Sequence, residues 1–484
     1  MQTQQVSTQV IAEIAKEVVV RLRAQMQMPV AAPAPPRTGA AARDGVFLTV
    51  DEAVNAAYEA QKKVEAMTLE ERDRIVKIIC RICNVRREEL GRMELEETKV
   101  GRLDHKILKL TNMRFVLGVE NLHTEARSNH TGLNIIEHAP WGVIGMMLPV
   151  THSVPTMASN AINIVAAGNT AVFGPHPSGA KVAQYALQLW NREIERELGV
   201  ANVFTTTTEP TIEAAEQIFQ HPKVALLCCT GGAAVAKAAA QSGKRVIAGG
   251  PGNPPVVVDE TSDLDRAARC IIEGAAFDNN LLCIGEKEVF VVASVADAFI
   301  AAMKRAGAVQ LDAGAIDRLT KAAFAFEGGG GGCAHAHLKK DLVGKDAAVL
   351  AKAAGVQVPT NTDLLFGETD ENHPFVVEEQ MMPFLPIVRV SCADAAIAAA
   401  VKAEHGYRHT AIIHTNNLET ATKMAKAMNT TLFIHNAASP ASLGVGGPGY
   451  FSHTIATPTG EGITTPLTFT RERQIVVCDA LRII

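Results

Sequence analysis

Between residues 142 and 248, short apolar runs rich in β-branched residues alternate with longer stretches whose apolar positions recur at helical spacing. The strand-like runs are Gly142 to Leu148, Thr170 to Phe173, Val203 to Thr207, Val224 to Cys229 and Arg245 to Ala248. The helix-like stretches are Pro155 to Ala167, Gly179 to Glu197, Thr211 to Gln220 and Ala233 to Gln241. This alternation predicts a parallel, doubly wound sheet whose ligand crevice opens at the carboxyl ends of its strands.

A second alternating block follows the first. It begins with a predicted strand at Pro255 to Val258, continues with a helix toward Cys283 and resumes with a strand at Val289 to Val292. At the end of the chain, two short β-rich runs occur at Leu467 to Thr470 and Gln474 to Cys478. We expect these runs to add strands to a neighbouring subunit's sheet.

The first 24 residues have a different pattern. Apolar residues recur every four positions over residues 6–23, and charged residues cover much of the remaining surface of the predicted helix. Residues 25–45 follow as a Pro/Ala linker that cannot pack and should stay extended. An apolar helix on a flexible tether predicts docking in another protein's groove. The alternative is a helix that folds back on its own domain or on a sister subunit.

Composition restricts the possible classes of protein. The chain has 484 residues, which is too long for one hydrophobic core and predicts two or three domains. A net charge of −5 without a long basic run argues against nucleic acid or an anionic membrane as a partner. No apolar run reaches the roughly 18 residues that a membrane span needs, and no secretory signal precedes the fold. Nine cysteines, an odd number, indicate a reducing compartment, so we expect a cytoplasmic protein or one enclosed within something cytoplasmic.

Cys283 is the candidate nucleophile. It lies where a helix of small residues gives way to an apolar strand, a junction that can expose sulfur at a cleft. A partly exposed thiolate there could attack a carbonyl carbon, although a buried free cysteine is the alternative. Cys80 and Cys83 form a C-x-x-C inside a helical run, with no second pair or nearby histidine to complete a zinc site. We therefore predict no metal site.

A weaker signal concerns phosphate binding. The chain contains no G-x-G-x-x-G motif, but Thr230, Gly231 and Gly232 join a predicted strand to the start of a helix. Two glycines at that point would let a phosphate approach the free backbone N–H groups of the helix terminus.

Several longer segments occur together in a specific order. They are Ala166 to Pro177, Cys229 to Gly232, Gly249 to Glu260, the stretch around Cys283, His373 to Pro386, Glu404 to Ala411 and Gly460 to Arg471. Together they resemble the aldehyde dehydrogenase superfamily, and in particular its coenzyme A-acylating branch from bacterial microcompartments, the propionaldehyde and acetaldehyde dehydrogenases. The resemblance covers about residues 46–484.

The resemblance implies an α/β, aldehyde dehydrogenase-like fold with three parts. These are a Rossmann-like NAD-binding domain over residues 46–250 with a C-terminal return, an α/β catalytic domain over residues 251–452, and a small β oligomerisation element over residues 453–484. Residues 1–24 resemble the encapsulation peptides that dock cargo enzymes onto microcompartment shells. By this resemblance, residues 6–23 bind a shell protein, the enzyme lies in the microcompartment lumen, and the chain forms a homodimer or homotetramer.

The implied chemistry begins with attack of the Cys283 thiolate on an aldehyde. Hydride leaves for NAD and a thioester remains on the enzyme. The Cys283 backbone N–H would stabilise the oxyanion, with His152 or Thr151 in place of the asparagine that hydrolytic relatives use. Those relatives also carry a glutamate that activates water, whereas the matching stretch, Gly249 to Gly252, has no carboxylate. Without a base the thioester persists until coenzyme A accepts the acyl group.

The resemblance also implies a cofactor site. Its residues are Pro175, His176, Pro177, Thr230, Gly231, Gly232, Gly249 and Glu379, the last reaching the nicotinamide ribose. Gly174 replaces the hydrolytic family's lysine, which leaves the preference for NAD over NADP open. His405 and His409 could assist deprotonation of coenzyme A, and local hydrogen bonding is the alternative role for each.

Two other functions are compatible with the fold. One is a hydrolytic dehydrogenase that forms free acid, and the other is an inactive scaffold associated with the shell. The absent glutamate argues against the first and the presence of Cys283 against the second. The aldehyde is expected to be short, with propionaldehyde favoured.

Overall fold

A computed structural model describes residues 44–327 and 335–481. The helix predicted over residues 6–23, and all but the last two residues of the linker predicted over residues 25–45, lie outside the described residues. Residues 43–484 form a unit of their own.

A six-stranded parallel sheet carries the first alternating block. Its strands, in spatial order, are Val46–Phe47, Phe204–Thr207, Thr170–Gly174, Val143–Met147, Val224–Cys229 and Arg245–Ala248. Every residue of the strand Val143–Met147 is buried, as expected for a parallel strand covered by helices on both faces. The prediction of a parallel, doubly wound sheet is confirmed.

A seven-stranded parallel sheet carries the second block. Its strands, in spatial order, are Val309–Gln310, Leu365–Glu368, Phe384–Val390, Glu288–Val292, Pro255–Val258, Thr410–His414 and Leu432–His435. The strand Glu288–Val292 is buried throughout, so its first residue places a carboxyl group in the interior.

Helices connect and cover the strands. The α-helices of the described residues are Val50–Glu65, Leu69–Val85, Arg87–Thr98, Leu103–Thr111, Ser153–Ala166, Ala180–Leu198, Ile212–Gln220, Ala233–Ala240, Leu264–Ala276, Ala293–Arg305, Ala313–Ala323, Ala347–Ala353, Pro374–Val377, Ala393–Ala403 and Leu418–Met428. Thr49 and Thr68 begin the first two of these helices with reciprocal capping boxes. None of the helices in the described part of the chain has the length and apolar character required to cross a bilayer.

A three-stranded antiparallel sheet stands apart from the two large ones. It consists of Glu125–Asn129, Gly132–Pro140 and Thr470–Cys478. Of the two predicted C-terminal β runs, the first was wrong and the second is confirmed: residues Pro466–Phe469 form a 3₁₀ turn, and Gln474 to Cys478 belong to the continuous strand Thr470–Cys478. That strand pairs with Gly132–Pro140 of its own chain, and the proline-bounded turn explains why the apolar residues before it are not extended.

The predicted oligomerisation element, residues 453–484, contributes to two different parts of the fold. Thr454 Oγ1 accepts a hydrogen bond from Asn160 Nδ2 at 2.8 Å, and Thr459 Oγ1 accepts one from the Ala248 N–H at 3.0 Å. These contacts attach the first part of the segment to the six-stranded sheet, while its last strand belongs to the three-stranded sheet.

Candidate active site

The residues of the candidate site fall at two sheet edges. Residues 151–152, 175–177, 230–232 and Gly249 follow the carboxyl ends of strands in the six-stranded sheet. Gly252, Cys283, Glu379 and His409 precede the amino ends of four adjacent strands in the seven-stranded sheet. The short segment 249–254 joins the two edges directly, because it leaves the strand Arg245–Ala248 and enters the strand Pro255–Val258. The edges therefore lie next to each other.

A strained loop presents Cys283. Asp278, Asn279 and Asn280 have φ angles of 49°, 57° and 64°, a left-handed conformation that non-glycine residues adopt only when neighbours hold them. Asn279 Nδ2 donates to the Gly344 carbonyl at 3.0 Å, and Asn280 Nδ2 donates to the Ala275 carbonyl at 2.9 Å. The side chains of the loop thus compensate for its backbone strain and fix the position of the cysteine that follows.

Asp278 anchors the same loop to the helix Leu103–Thr111. Its carboxylate accepts from Lys109 Nζ and from the Arg102 N–H, and both Asp278 and Lys109 are fully buried. Burial acts to raise the pKa of Asp278, but Lys109 and Lys106 outweigh it and hold the pKa below its usual value. The Asp278 carboxylate is therefore ionised, and loss of Lys109 would leave this buried charge without compensation.

His152 contacts this ion pair. Its Nδ1 lies 2.8 Å from Lys109 Nζ, and its ring centroid lies 5.3 Å from that of His453. Burial, and then Lys109, lower the pKa of His152 well below its usual value, so the ring is neutral. The Leu281 backbone acts on this pKa in the opposite direction, which places the His152 ring beside the loop that precedes Cys283.

The Cys283 thiol is partly exposed and weakly acidic. Burial, and then the Glu379 carboxylate, raise its pKa to about 12, while Lys287 and nearby backbone N–H groups act in the opposite direction. The thiol is therefore protonated near neutral pH in the absence of ligands. A reaction at this sulfur needs a group that accepts its proton.

Gly252 is packed directly against the cysteine. A Cβ atom at this position would lie 2.4 Å from the Cys283 carbonyl oxygen and 3.1 Å from the His409 ring. The Gly252 backbone also acts on Glu379, where it partly offsets the rise in the pKa of Glu379 that burial causes. Only glycine fits here without displacing the nucleophile.

His409 is fully buried beside Gly252. Its N–H donates to Glu404 Oε1 at 2.7 Å, and its Nδ1 lies 2.8 Å from Thr410 Oγ1. Burial, and then Lys287, lower its pKa to about 4, so the imidazole is neutral at physiological pH. Its Nε2 has no hydrogen-bond partner among the described residues, which leaves one nitrogen available for a proton.

The nucleotide side of the crevice is open. A Cβ atom at Gly231 or Gly232 would meet nothing within 4 Å, and both glycines precede the helix Ala233–Ala240. Thr230 Oγ1 lies 2.6 Å from Thr454 Oγ1, which fixes the turn. The residues therefore fit a dinucleotide phosphate, since it could approach the helix N–H groups without hindrance.

The neighbouring turn is compact. Pro175 is buried, and His176 Nδ1 accepts from the Ser178 N–H at 3.1 Å in front of the exposed Pro177. A Cβ atom at Gly174 would lie 2.6 Å from Met147 Sδ, so a lysine there would require Met147 to move.

The sequence reasoning did not single out Lys109, Asp278, Gly252 or Lys287. A signal was present for two of them, because Lys109 lies on the face of a short helix that must pack and Asp278 opens a turn-forming run before the cysteine. No group of His, Cys, Asp and Glu side chains within residues 44–327 and 335–481 is arranged to hold a metal ion.

Two parallel sheets, a dinucleotide crevice and a cysteine held between them define a class of nucleotide-dependent enzymes with a sulfur nucleophile. The model of the aldehyde dehydrogenase family matches residues 21–321, and the chain belongs to that family. The family and the α/β fold predicted from the sequence are confirmed.

Three known proteins are similar over most of their length. The acetaldehyde dehydrogenase (acetylating) EutE of Salmonella typhimurium is 41% identical over 443 residues, which are 91% of this chain and 94% of that protein. A propionaldehyde dehydrogenase from the Clostridium phytofermentans fucose utilisation bacterial microcompartment is 40% identical with a TM-score of 0.87, covering 91% of this chain and all of that one. A Rhodopseudomonas palustris propionaldehyde dehydrogenase with bound CoA and an acylated cysteine has the same identity, TM-score and coverage.

Proposed function

We propose that this chain is a CoA-acylating, NAD-dependent aldehyde dehydrogenase that converts a short-chain aldehyde, with propionaldehyde favoured, to acyl-CoA. The observation that carries the proposal is the stretch Gly249 to Gly252, which matches the position of the water-activating glutamate of hydrolytic relatives and has no carboxylate, and whose Gly252 packs against Cys283. The similar protein with bound CoA and an acylated cysteine supports the same chemistry.

The reaction begins at Cys283. A base removes the thiol proton, sulfur bonds to the aldehyde carbon, and the resulting alkoxide expels hydride as the thioester forms. NAD, when bound, supplies the hydride acceptor. The thiol of coenzyme A then loses its proton and attacks the thioester, and the Cys283 thiolate leaves. His409, with a neutral ring and an available Nε2, is the candidate for these proton transfers.

Two kinds of group would stabilise the oxyanion. The Cys283 N–H is adjacent to the reacting carbon in any productive orientation. Thr151 lies in the turn before the helix Ser153–Ala166 and is the second candidate donor. Because His152 is already bonded to Lys109, we assign it mainly to orienting the loop before Cys283.

The dinucleotide would bind along the carboxyl edge of the six-stranded sheet. Residues 175–177, residues 230–232 and Gly249 would line its phosphates and adenosine, and Glu379 would accept hydrogen bonds from the nicotinamide ribose. The open surface at Gly231 and Gly232 and the half-buried position of Glu379 support this assignment.

The partners are assigned from other parts of the chain. Residues 6–23 would bind a microcompartment shell protein, which places the enzyme in the microcompartment lumen. Ile475 and Val476, 53% and 66% exposed on the outer strand Thr470–Cys478, support assembly into a homodimer or homotetramer through the three-stranded sheet.

Deleting residues 1–24 is expected to leave turnover unchanged and to abolish co-purification with the shell. The reason is that none of the residues assigned to the reaction or to cofactor binding belongs to this segment. Activity and shell association are measured on the same cell lysates. An inactive truncation, or one that stays with the shell, would reject the assignment of these residues.

Gly249→Glu is expected to divert product from acyl-CoA to free acid, raising the acid share by roughly tenfold or more. A Cβ atom at Gly249 lies 3.6 Å from its nearest neighbours, so the side chain can begin there without a clash. Product acids and acyl-CoA are quantified by chromatography. Gly249→Gln is the matched control, because it has the same size without a base, and an equal acid share in both variants would show that the missing carboxylate is not the cause.

A further inference from the structure

Lys287 is buried in the centre of the site without a directly bonded carboxylate. Its Nζ donates to the Asn280 carbonyl at 2.8 Å, to the Leu282 carbonyl at 3.2 Å and to Asn280 Oδ1. These three acceptors use all three N–H bonds of an ammonium group. Burying a charge costs folding free energy unless the charge is paired or hydrogen-bonded, so a buried lysine at this position requires an explanation.

The acceptors of Lys287 all belong to the loop that ends in Cys283. Asn280 is the last residue of the left-handed run, and Leu282 is the residue before the nucleophile. The ammonium group therefore closes the chain on itself from residue 287 back to residue 280 and fixes the path of the backbone through Cys283.

We propose that Lys287 is a positioning residue that holds the Cys283 loop and places a fixed positive charge beside the reacting sulfur. The inference deepens the proposed function, on which it rests, by naming the group that compensates a thiolate in a pocket with little solvent. Lys287 stays protonated throughout the reaction, and it neither accepts the proton of the Cys283 thiol nor returns it.

The charges acting on the sulfur support this role. Among the described residues, the charged side chains that act on Cys283 are Glu379 and Lys287, and their effects on the thiol have opposite signs. Burial lowers the pKa of Lys287, but Glu379, Cys283 and two further carboxyl groups favour its charged form. One ammonium group is thus shared between a carboxylate and the nucleophile.

Because Lys287 and Glu379 act on the Cys283 thiol in opposite directions, replacing each of them separately tests the proposal. A purely structural role for Lys287 would not predict opposite changes in the reactivity of the thiol. Lys287→Met keeps the length of the side chain and removes its charge, so the thiolate fraction at a given pH should fall. Glu379→Gln keeps the shape and removes the opposing charge, so the thiolate fraction should rise. Below the pKa of the thiol, alkylation by iodoacetamide follows the thiolate fraction and changes about tenfold for each pKa unit.

The experiment measures iodoacetamide alkylation of Cys283 in the full-length protein at pH 8, without aldehyde or nucleotide. Peptide mass spectrometry separates Cys283 from the other cysteines. We expect Lys287→Met to react at least about tenfold more slowly and Glu379→Gln to react several-fold faster. Thermal unfolding of each variant shows that it is folded, and Lys287→Arg, which keeps the charge on a bulkier group, should recover part of the rate.

An unchanged rate in folded Lys287→Met overturns the proposal, and so does slowing of alkylation in both variants, which would indicate general disruption of the loop. If Lys287→Met cannot be purified, Glu379→Gln alone tests the proposal. An alkylation rate of Cys283 in Glu379→Gln no faster than in the unchanged chain would contradict an ammonium group shared between Glu379 and Cys283. The alkylation rate does not depend on turnover. The proposed role of Lys287 can therefore fail while the enzyme still forms acyl-CoA. A failure of the proposed CoA-acylating function is detected separately, by measuring acyl-CoA and free acid.

Discussion

Replacing Cys283 by alanine is expected to abolish the formation of both NADH and acyl-CoA, with residual turnover below about 1% of that of the unchanged chain. The substitution removes the atom to which the acyl group is bonded, and alanine offers no nucleophile in its place. NADH formation from propanal, NAD and coenzyme A measures the effect.

Cys270→Ala is the matched control for this substitution. Cys270 is a partly buried free cysteine on the helix Leu264–Ala276 that leads to the same loop, and burial raises its pKa. This variant should keep most of its activity. Turnover above about 1% in Cys283→Ala would show that the nucleophile is a different residue.

Gly252→Ala is expected to have the second largest effect, a loss of roughly 100-fold in turnover. One added methyl group would lie 2.4 Å from the Cys283 carbonyl oxygen and 3.1 Å from the His409 ring, so the loop or the histidine must move. Displacement of a reacting group by about 1 Å is enough to cause a loss of this size. Steady-state turnover is compared with thermal stability, which separates a displaced site from an unfolded protein.

Gly314→Ala provides the control, because it adds the same methyl group on the helix Ala313–Ala323, which contributes no residue to the candidate site. Its Cβ would lie 3.4 Å from the nearest atom, an ordinary contact distance, so activity should change little. Equal activities of the two alanine variants would contradict the account of Gly252. A folded Gly252→Ala enzyme with normal turnover would do the same.

The first parallel sheet was predictable because its central strands are buried on both faces and appear as continuous apolar runs. Of the seven-stranded sheet, only the strands at 255–258 and 289–292 were predicted. The bounds predicted for Val224–Cys229, Arg245–Ala248 and Pro255–Val258 agree with those in the structure. The antiparallel strands at 125–140 were not predicted. Glu125–Asn129 is exposed along its whole length, so no apolar pattern marks it, and it pairs with the next strand, Gly132–Pro140, across residues 130–131.

The part of the site that could be predicted consists of residues whose type alone indicates their chemistry within a recognisable segment of the sequence. Cys283 and the glycines at 249–252 stand out in the sequence, whereas the contacts that organise them join residues far apart in the chain. Lys109 meets Asp278 only because the helix Leu103–Thr111 packs against the cysteine loop. The sequence shows a lysine and an aspartate, and the fold alone brings them together.

The central claim is that the acyl group stays bonded to Cys283 until a second thiol, that of coenzyme A, accepts it. Its most direct test is NADH formation from propanal and NAD, with and without coenzyme A, together with analysis of the acid released. We expect sustained NADH formation and acyl-CoA with coenzyme A, and without it a burst of about one NADH per subunit followed by slow turnover. Sustained NADH formation at the same rate without coenzyme A, with propanoate as the product, would contradict the account.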